Sequence, residues 1–117
     1  MFILPSNRPI EFVPESFKDQ DNPPIFLIQA PTKSLVLETQ SLLAGASMNP
    51  EQSGNTLNTV MRLCLDNCVT GWKNIVDDTG KPIDFTKENF ERLNNQDILM
   101  GIYLKIQELT AGTEKNE

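Results

Sequence analysis

The side chains with the most reactive chemistry in this 117-residue sequence are two cysteines, Cys64 and Cys68, four residues apart. The chain has no histidine, so it lacks the commonest general base and the usual partner of serine and cysteine nucleophiles. Two thiols alone cannot complete a tetrahedral metal site unless another chain supplies ligands. A disulfide within one helical turn has poor geometry, and free cysteines are commonly buried as small apolar side chains. We therefore expect reduced, structural thiols and a cytosolic protein.

Carboxylates are the other groups that could act in catalysis, because sixteen acidic residues against ten basic ones give a net charge of −6. A hydrolase needs two acids in a shaped pocket, whereas these acids flank turns or alternate with lysines. The run Asp77-Asp78-Thr79-Gly80-Lys81-Pro82 lacks the ligand spacing of a calcium loop and is typical of a turn. We therefore expect no enzyme, no cofactor and no metal site. The acidic surface also disfavours binding to nucleic acid.

The distribution of proline divides the chain into regions within one predicted domain. Residues 1–31 contain six of the eight prolines, which excludes a long helix there. Two short apolar runs in this region, residues 10–13 and 25–28, predict strands of a loose β-hairpin. The predicted fold is therefore α+β and mainly α: an N-terminal β-hairpin or extended segment, a helical body of about four helices (residues 32–110), and a flexible polar tail (residues 111–117). No run of about 18 apolar residues suggests a membrane span, and no secretory leader is predicted.

The predicted helices have recognisable starts and stops. Thr32 can cap the first helix, and a loop of residues 45–54, with two glycines and a proline, separates it from the second. The second helix runs from about residue 55 to residue 69 with apolar residues at helical spacing. Thr86 can cap a short third helix, and the last helix begins near Asp97.

The last helix has more apolar side chains than one buried stripe needs. Eight of the twelve residues from Ile98 to Leu109 are apolar, whereas a helix with one buried face carries three or four in two turns. Either this helix is central to the domain, or one side of it faces another subunit or a partner. On the second alternative, we expect self-association into a homo-oligomer through these candidates: Leu99, Met100, Tyr103 and Leu104.

Trp72, the one tryptophan of the chain, is a further candidate for partner binding, because tryptophan is enriched at binding hot spots. The alternative is packing at the end of the second helix. Trp72 lies four residues beyond Cys68 and seven beyond Leu65, on the same helical face, and Gly71 offers a C-terminal stop for that helix.

The segment from Gly71 to Leu93 reads GWKNIVDDTGKPIDFTKENFERL. Its order of Gly-Trp-Lys-Asn, Asp-x-x-Gly-Lys-Pro and Phe-Thr-x-Glu-Asn resembles a stretch of the tail assembly chaperones of long-tailed (siphovirus-type) bacteriophages. In that family, a Gly-Trp segment leads to an acidic Gly-Pro turn, and Phe-Ser/Thr-x-Glu-Asn then opens the next helix. The resemblance covers about a fifth of the chain and contains no catalytic signature.

The resemblance implies a non-enzymatic role in virion assembly. Family members bind the tape measure protein, keep this long hydrophobic protein soluble, and help to recruit tail tube subunits around it. They act in the host cytoplasm and are absent from the finished tail. Many are made in two forms by a ribosomal frameshift, and Glu114-Lys115-Asn116 can be encoded by a slippery heptamer, A-AAA-AAC. The alternatives are a structural head–tail or tail component retained in the virion, and a small regulatory binder of a host protein.

Overall fold

The structure is a computed structural model that describes residues 1–4, 7–49, 51, 53–110 and 113–114. The strands are β1 (Phe2–Ile3), β2 (Ile10–Phe12), β3 (Ile25–Ile28), β4 (Val69–Lys73) and β5 (Thr113–Glu114). The helices are α1 (Lys33–Met48), α2 (Ser53–Cys68), α3 (Lys87–Glu91) and α4 (Gln96–Thr110), with a 3-10 turn at Glu15–Phe17. The described chain is thus a small α+β domain with four α-helices, as the sequence predicts.

The main sheet has three antiparallel strands in the order β2-β3-β4. The predicted pairing of residues 10–13 with residues 25–28 is confirmed, because β2 and β3 pair from Ile10 opposite Ile28 to Phe12 opposite Phe26. Phe26 and Ile28 are fully buried, whereas their neighbours along β3 are only half-buried. One face of the central strand therefore lies in the core, as the two-residue period of a strand requires.

The core lies between that face of the sheet, α2 and α4. Ile98, Ile102 and Ile106 recur every fourth residue along α4, and all three are buried. The side chain of Asn95 caps this helix, because its Oδ1 accepts a hydrogen bond from the Ile98 amide at 3.0 Å. The core cluster also contains these residues of α2 and α3: Val60, Cys64, Leu65, Cys68 and Phe90.

Helix α1 packs beside α2 and is longer than the sequence pattern predicts. The Thr32 cap is confirmed, since its Oγ1 accepts a hydrogen bond from the Leu35 amide at 3.2 Å. The predicted loop of residues 45–54 is wrong over its first half, because α1 continues to Met48. Gly45 therefore lies inside the helix, where its alanine neighbours favour helical geometry.

Strand β4 corrects the prediction of a body of helices and loops over residues 32–110, which included no strand. It follows α2 directly and pairs with β3, so that Gly71 lies opposite Leu27. A Cβ atom at Gly71 would lie 3.0 Å from Leu27 Cδ1. The absence of a side chain at Gly71 therefore leaves room for the Leu27 side chain on the neighbouring strand. Gly71 is not the helix stop that the sequence predicts.

The two chain ends form a separate two-stranded sheet, in which Phe2 of β1 lies opposite Glu114 of β5. The prediction of a flexible tail at residues 111–117 is therefore wrong for Thr113 and Glu114, which form β5. The other residues of that range lie outside the described residues. In the described part of the chain, no helix has the length and apolar character needed to cross a lipid bilayer.

We predict that Gly71→Val lowers the free energy of unfolding by about 1–3 kcal/mol, because the added side chain crowds Leu27 in the sheet. Gly45→Ala is the control, since a Cβ there has nothing within 4 Å. That variant should gain about 0.5–1 kcal/mol from the better helix former. Urea unfolding of dilute protein measures both, and equal shifts in the same direction would contradict the assignment of Gly71 to a crowded strand.

Candidate functional site

A groove of about 490 Å³ lies between α2, α3 and the start of α4. The side chains of its floor are apolar and buried or half-buried: Met61, Leu65, Phe90, Leu93 and Leu99. The side chains of its rim are polar and exposed: Asn58, Arg62, Asp66, Glu91, Asn94 and Gln96. An apolar floor inside a polar rim is the usual layout of a site that binds an apolar group from solvent.

Hydrogen bonds at helix ends position the wall of the groove that α3 forms. Thr86 Oγ1 accepts a hydrogen bond from the Asn89 amide at 3.0 Å, which confirms the predicted cap. Asn89 Nδ2 in turn donates to the carbonyl oxygen of Asp84 at 3.0 Å. Because α3 has only five residues, these bonds alone cannot stabilise it, and it depends on packing against the domain.

Trp72 supplies much of that packing. Its ring makes edge-on contacts with Phe26, Phe85 and Phe90, at centroid distances of 6.3, 5.1 and 6.4 Å. Its indole Nε1 donates a hydrogen bond to the carbonyl oxygen of Ile83 at 2.8 Å. Trp72 packs within the domain, as the structural alternative predicts, but from β4 and not from the face of the second helix. Trp72 is half-buried and attaches α3 to the sheet.

Charge at the groove rim is mixed and exposed to solvent. Arg62 Nη1 lies 3.6 Å from Glu91 Oε1, which links α2 to α3. Both side chains are more than half exposed, so this ion pair contributes at most about 1 kcal/mol to stability. Asp66 adds a second negative charge to the rim. The apolar floor, rather than an ion pair, therefore dominates what this groove can bind.

Helix α4 lies at the centre of the domain, as one of the two alternatives predicts, and it also leaves apolar side chains exposed. That these exposed side chains face another subunit or a partner stays a prediction. The isoleucine stripe of α4 is central to the domain, while Leu99 lines the groove, and Met100 and Leu104 are 45% and 59% exposed. We call Met100 and Leu104 the α4 ridge. Tyr103 is half-buried, and burial, with a smaller effect of Cys64, raises the pKa of its hydroxyl. Of the four predicted interface residues, Leu99 therefore lies in the groove floor, Met100 and Leu104 form the exposed ridge, and Tyr103 is half-buried.

Both cysteines are free and buried, as the sequence predicts. Burial and the neighbouring Cys64 raise the pKa of the Cys68 thiol to about 12, and burial raises the pKa of Cys64. A thiol with a raised pKa stays protonated near neutral pH, and only the thiolate is a good nucleophile or metal ligand. Among the described residues, no group of three or more histidine, cysteine or acidic side chains is arranged to hold a metal ion.

The acidic run at residues 77–82 forms a turn, as predicted. Asp77 Oδ1 accepts hydrogen bonds from the Thr79 hydroxyl at 2.6 Å, the Thr79 amide at 2.8 Å and the Lys81 amide at 3.0 Å. These bonds, the hydroxyl first, lower the pKa of Asp77. Gly80 has φ +84°, which glycine adopts without strain. Asp77 Oδ1 is thus hydrogen-bonded within the turn itself.

Comparison with known proteins adds no relative. No protein-family model matches the chain, and no curated protein or solved structure is found to be similar to it. The segment from residue 71 to residue 93, which carries the family resemblance, forms β4, the acidic turn and α3. It contributes Phe90, Glu91 and Leu93 to the groove. The resemblance itself stays a prediction.

We predict that the stability of the protein falls above pH 9 partly because its thiols ionise. In the unfolded chain Cys68 ionises near its ordinary pKa of 9.0, whereas in the folded protein its pKa is about 12. The folded state therefore retains a proton that the unfolded state loses, and stability declines as the pH rises from 9 towards 12. Melting temperatures measured from pH 7 to pH 11 should fall less steeply above pH 9 for Cys68→Ala. Parallel curves for the two proteins would contradict this origin.

We also predict that Trp72→Phe lowers the free energy of unfolding by about 1–3 kcal/mol, because the half-buried Ile83 carbonyl loses its hydrogen-bond donor. Urea unfolding followed by circular dichroism measures the change. Phe85→Tyr is a milder control that keeps an aromatic ring against Trp72. An unfolding midpoint unchanged from that of the native chain would show that the indole N–H does not hold this wall.

Proposed function

We propose that the protein is a non-catalytic binding protein that covers an apolar segment of another polypeptide, and that it acts as a tail assembly chaperone of a long-tailed bacteriophage. The observation that carries the proposal is the apolar-floored groove beside the exposed α4 ridge. Leu99 lines the groove, and Met100 follows it directly on the same helix. Apolar area exposed in this way is typical of a binding surface.

An amphipathic helix of a client suits this site. Such a helix presents apolar side chains three or four residues apart, which enter an apolar groove while its polar side stays in water. The groove floor offers five apolar side chains from three different helices or their ends. Its polar rim can bond the edge of the client helix without requiring a particular charge. Binding of this kind discriminates by shape and hydrophobicity rather than by a catalytic group.

The charge of the chain fits the same role. A net charge of −6 on a small domain keeps a complex with an apolar client soluble, because charged copies repel one another. Many copies along one long client would also permit weak individual contacts, since linked sites raise the effective concentration of each other. The family resemblance names the client as the tape measure protein and adds tail tube protein as a further partner. It also places the complex in the host cytoplasm.

Co-expression with the tape measure protein of the same genome tests the proposal. We expect the native chain to keep that protein soluble and to co-purify with it. Asn58→Trp should reduce the co-purified amount at least tenfold, because an indole on the rim fills the groove. Thr59→Trp is the matched control, since Thr59 is the exposed chain neighbour of Asn58 but does not line the groove.

Equal loss of binding in both variants, or none in either, would place the client elsewhere. Mass spectrometry of purified virions separates the remaining alternatives, because a chaperone is absent from the particle. Recovery of the chain at a fixed stoichiometry in virions would identify a structural component instead. Capture of a host protein without any tape measure protein, from infected cells, would identify a regulatory binder.

A further inference from the structure

Helix α1 carries two seams of apolar and small residues on opposite faces. The inner seam, which faces α2 and the core, consists of Leu35, Thr39, Leu42 and Ala46. The outer seam has the same spacing of four, three and four residues, and it consists of Leu37, Ser41, Ala44 and Met48. All four outer residues are exposed, Leu37 by 56% and Met48 by 88%. A seam with this spacing is what one helix presents to another helix.

The outer seam lacks the charge that a solvent-facing helix normally carries. The two charged residues of α1, Lys33 and Glu38, lie in its first two turns. No charged residue occurs from Thr39 to Pro50, which is the longest such run in the sequence. A helix that packs on one side only usually places charged and polar residues on the other. The domain's own packing therefore does not account for this face.

We propose that the outer seam of α1 binds the same seam in a second copy of the protein, with the two helices antiparallel about a two-fold axis. The sizes of the seam residues read large, small, small, large. An antiparallel partner then places Leu37 beside Met48 of the second copy, and Ser41 beside Ala44 of the second copy. Small residues at the centre allow the helices to approach closely, and large ones pack at the ends. The seam is thus complementary to itself, as a two-fold interface requires.

Electrostatics favour a second copy over a charged partner. Each copy carries a net charge of −6, so two copies repel at long range, and a contact surface without charges adds no close-range repulsion to this. The four residues of the outer seam carry no charge, and Lys33, one turn before Leu37, is the one charged residue of α1 in line with them. The seam therefore offers a charged partner little to pair with. This contact goes beyond the proposed function and does not depend on it. No groove residue comes from α1, so the contact between copies uses none of the side chains that line the groove.

The dimer should be weak and should depend on concentration. A helix of 16 residues is about 24 Å long. One helix pair of that length buries less than the roughly 800 Å² per partner of a standard interface. Sedimentation equilibrium of the full chain from about 5 to about 500 µM covers the range in which such interfaces form. We expect a reversible monomer–dimer equilibrium.

Two double variants of opposite charge test the geometry. Ser41→Glu with Ala44→Glu, and Ser41→Lys with Ala44→Lys, should each weaken dimerisation at least tenfold through like-charge repulsion. An equimolar mixture of the two should restore a dimer that contains one copy of each. Because Ser41 and Ala44 are exposed, circular dichroism should show native folding for both. Met48→Lys, at an 88% exposed position, is a milder variant that should also weaken the dimer.

Met100→Glu with Leu104→Glu is the matched control, because it places two charges on the exposed ridge of another helix. It should leave the dimer intact. Four results would each overturn the proposal: a native chain that stays monomeric, native-like association of the variant with Ser41→Glu and Ala44→Glu, no dimer in the mixture, or loss of the dimer only in the α4 variant. Co-purification of the tape measure protein with the variant that carries Ser41→Glu and Ala44→Glu tests the proposed function separately from dimerisation.

Discussion

The packing of the α4 isoleucine stripe on β3 determines where the other elements lie. Phe26 and Ile28 of β3, with Ile102 and Ile106 of α4, are all fully buried. Because β3 is the central strand, it fixes β2 on one side and β4 on the other. Strand β4 continues α2 without a loop, so the same contact also places α2 against the core. A chain of this length fills one such core and leaves its remaining apolar side chains at the surface.

Local signals predicted the parts of this fold whose boundaries lie in the sequence. Prolines isolated the two runs that form β2 and β3, and Thr32 and Thr86 marked helix starts. Strand β4 was missed because no breaker separates it from α2, and Gly71 was interpreted as a helix end. The available signal was the β-branched pair Val69-Thr70 followed by an aromatic residue. Helix α1 extends beyond its predicted end because one glycine inside a helix has a small free-energy cost, which the neighbouring alanines and the packing of the helix offset.

The groove could not be predicted, since its floor joins residues of α2 to residues about 30 positions later in α3 and α4. Each floor residue follows an ordinary helical period, and only the tertiary arrangement brings them together. Exposure of the α4 ridge was one of the two outcomes that the sequence left open, because a helix with apolar side chains on more than one face is either enclosed or exposes some of them. Tyr103 shows the limit of that argument. Tyr103 directly precedes Leu104 on α4, yet its side chain is half-buried, whereas that of Leu104 is 59% exposed.

Helices α1 and α2 differ in the charge of their outward faces, although both pack against the domain in the same way. Both have 16 residues, and both pack one face inward. On its outward face α2 carries Arg62 and Asp66, which keep that face hydrated. The outward face of α1 is exposed to the same solvent but has no charge after Glu38. Burial within the domain constrains only the inward faces, so it cannot produce this difference. The contact with a second copy that we propose would cover the part of the α1 face that carries no charge after Glu38.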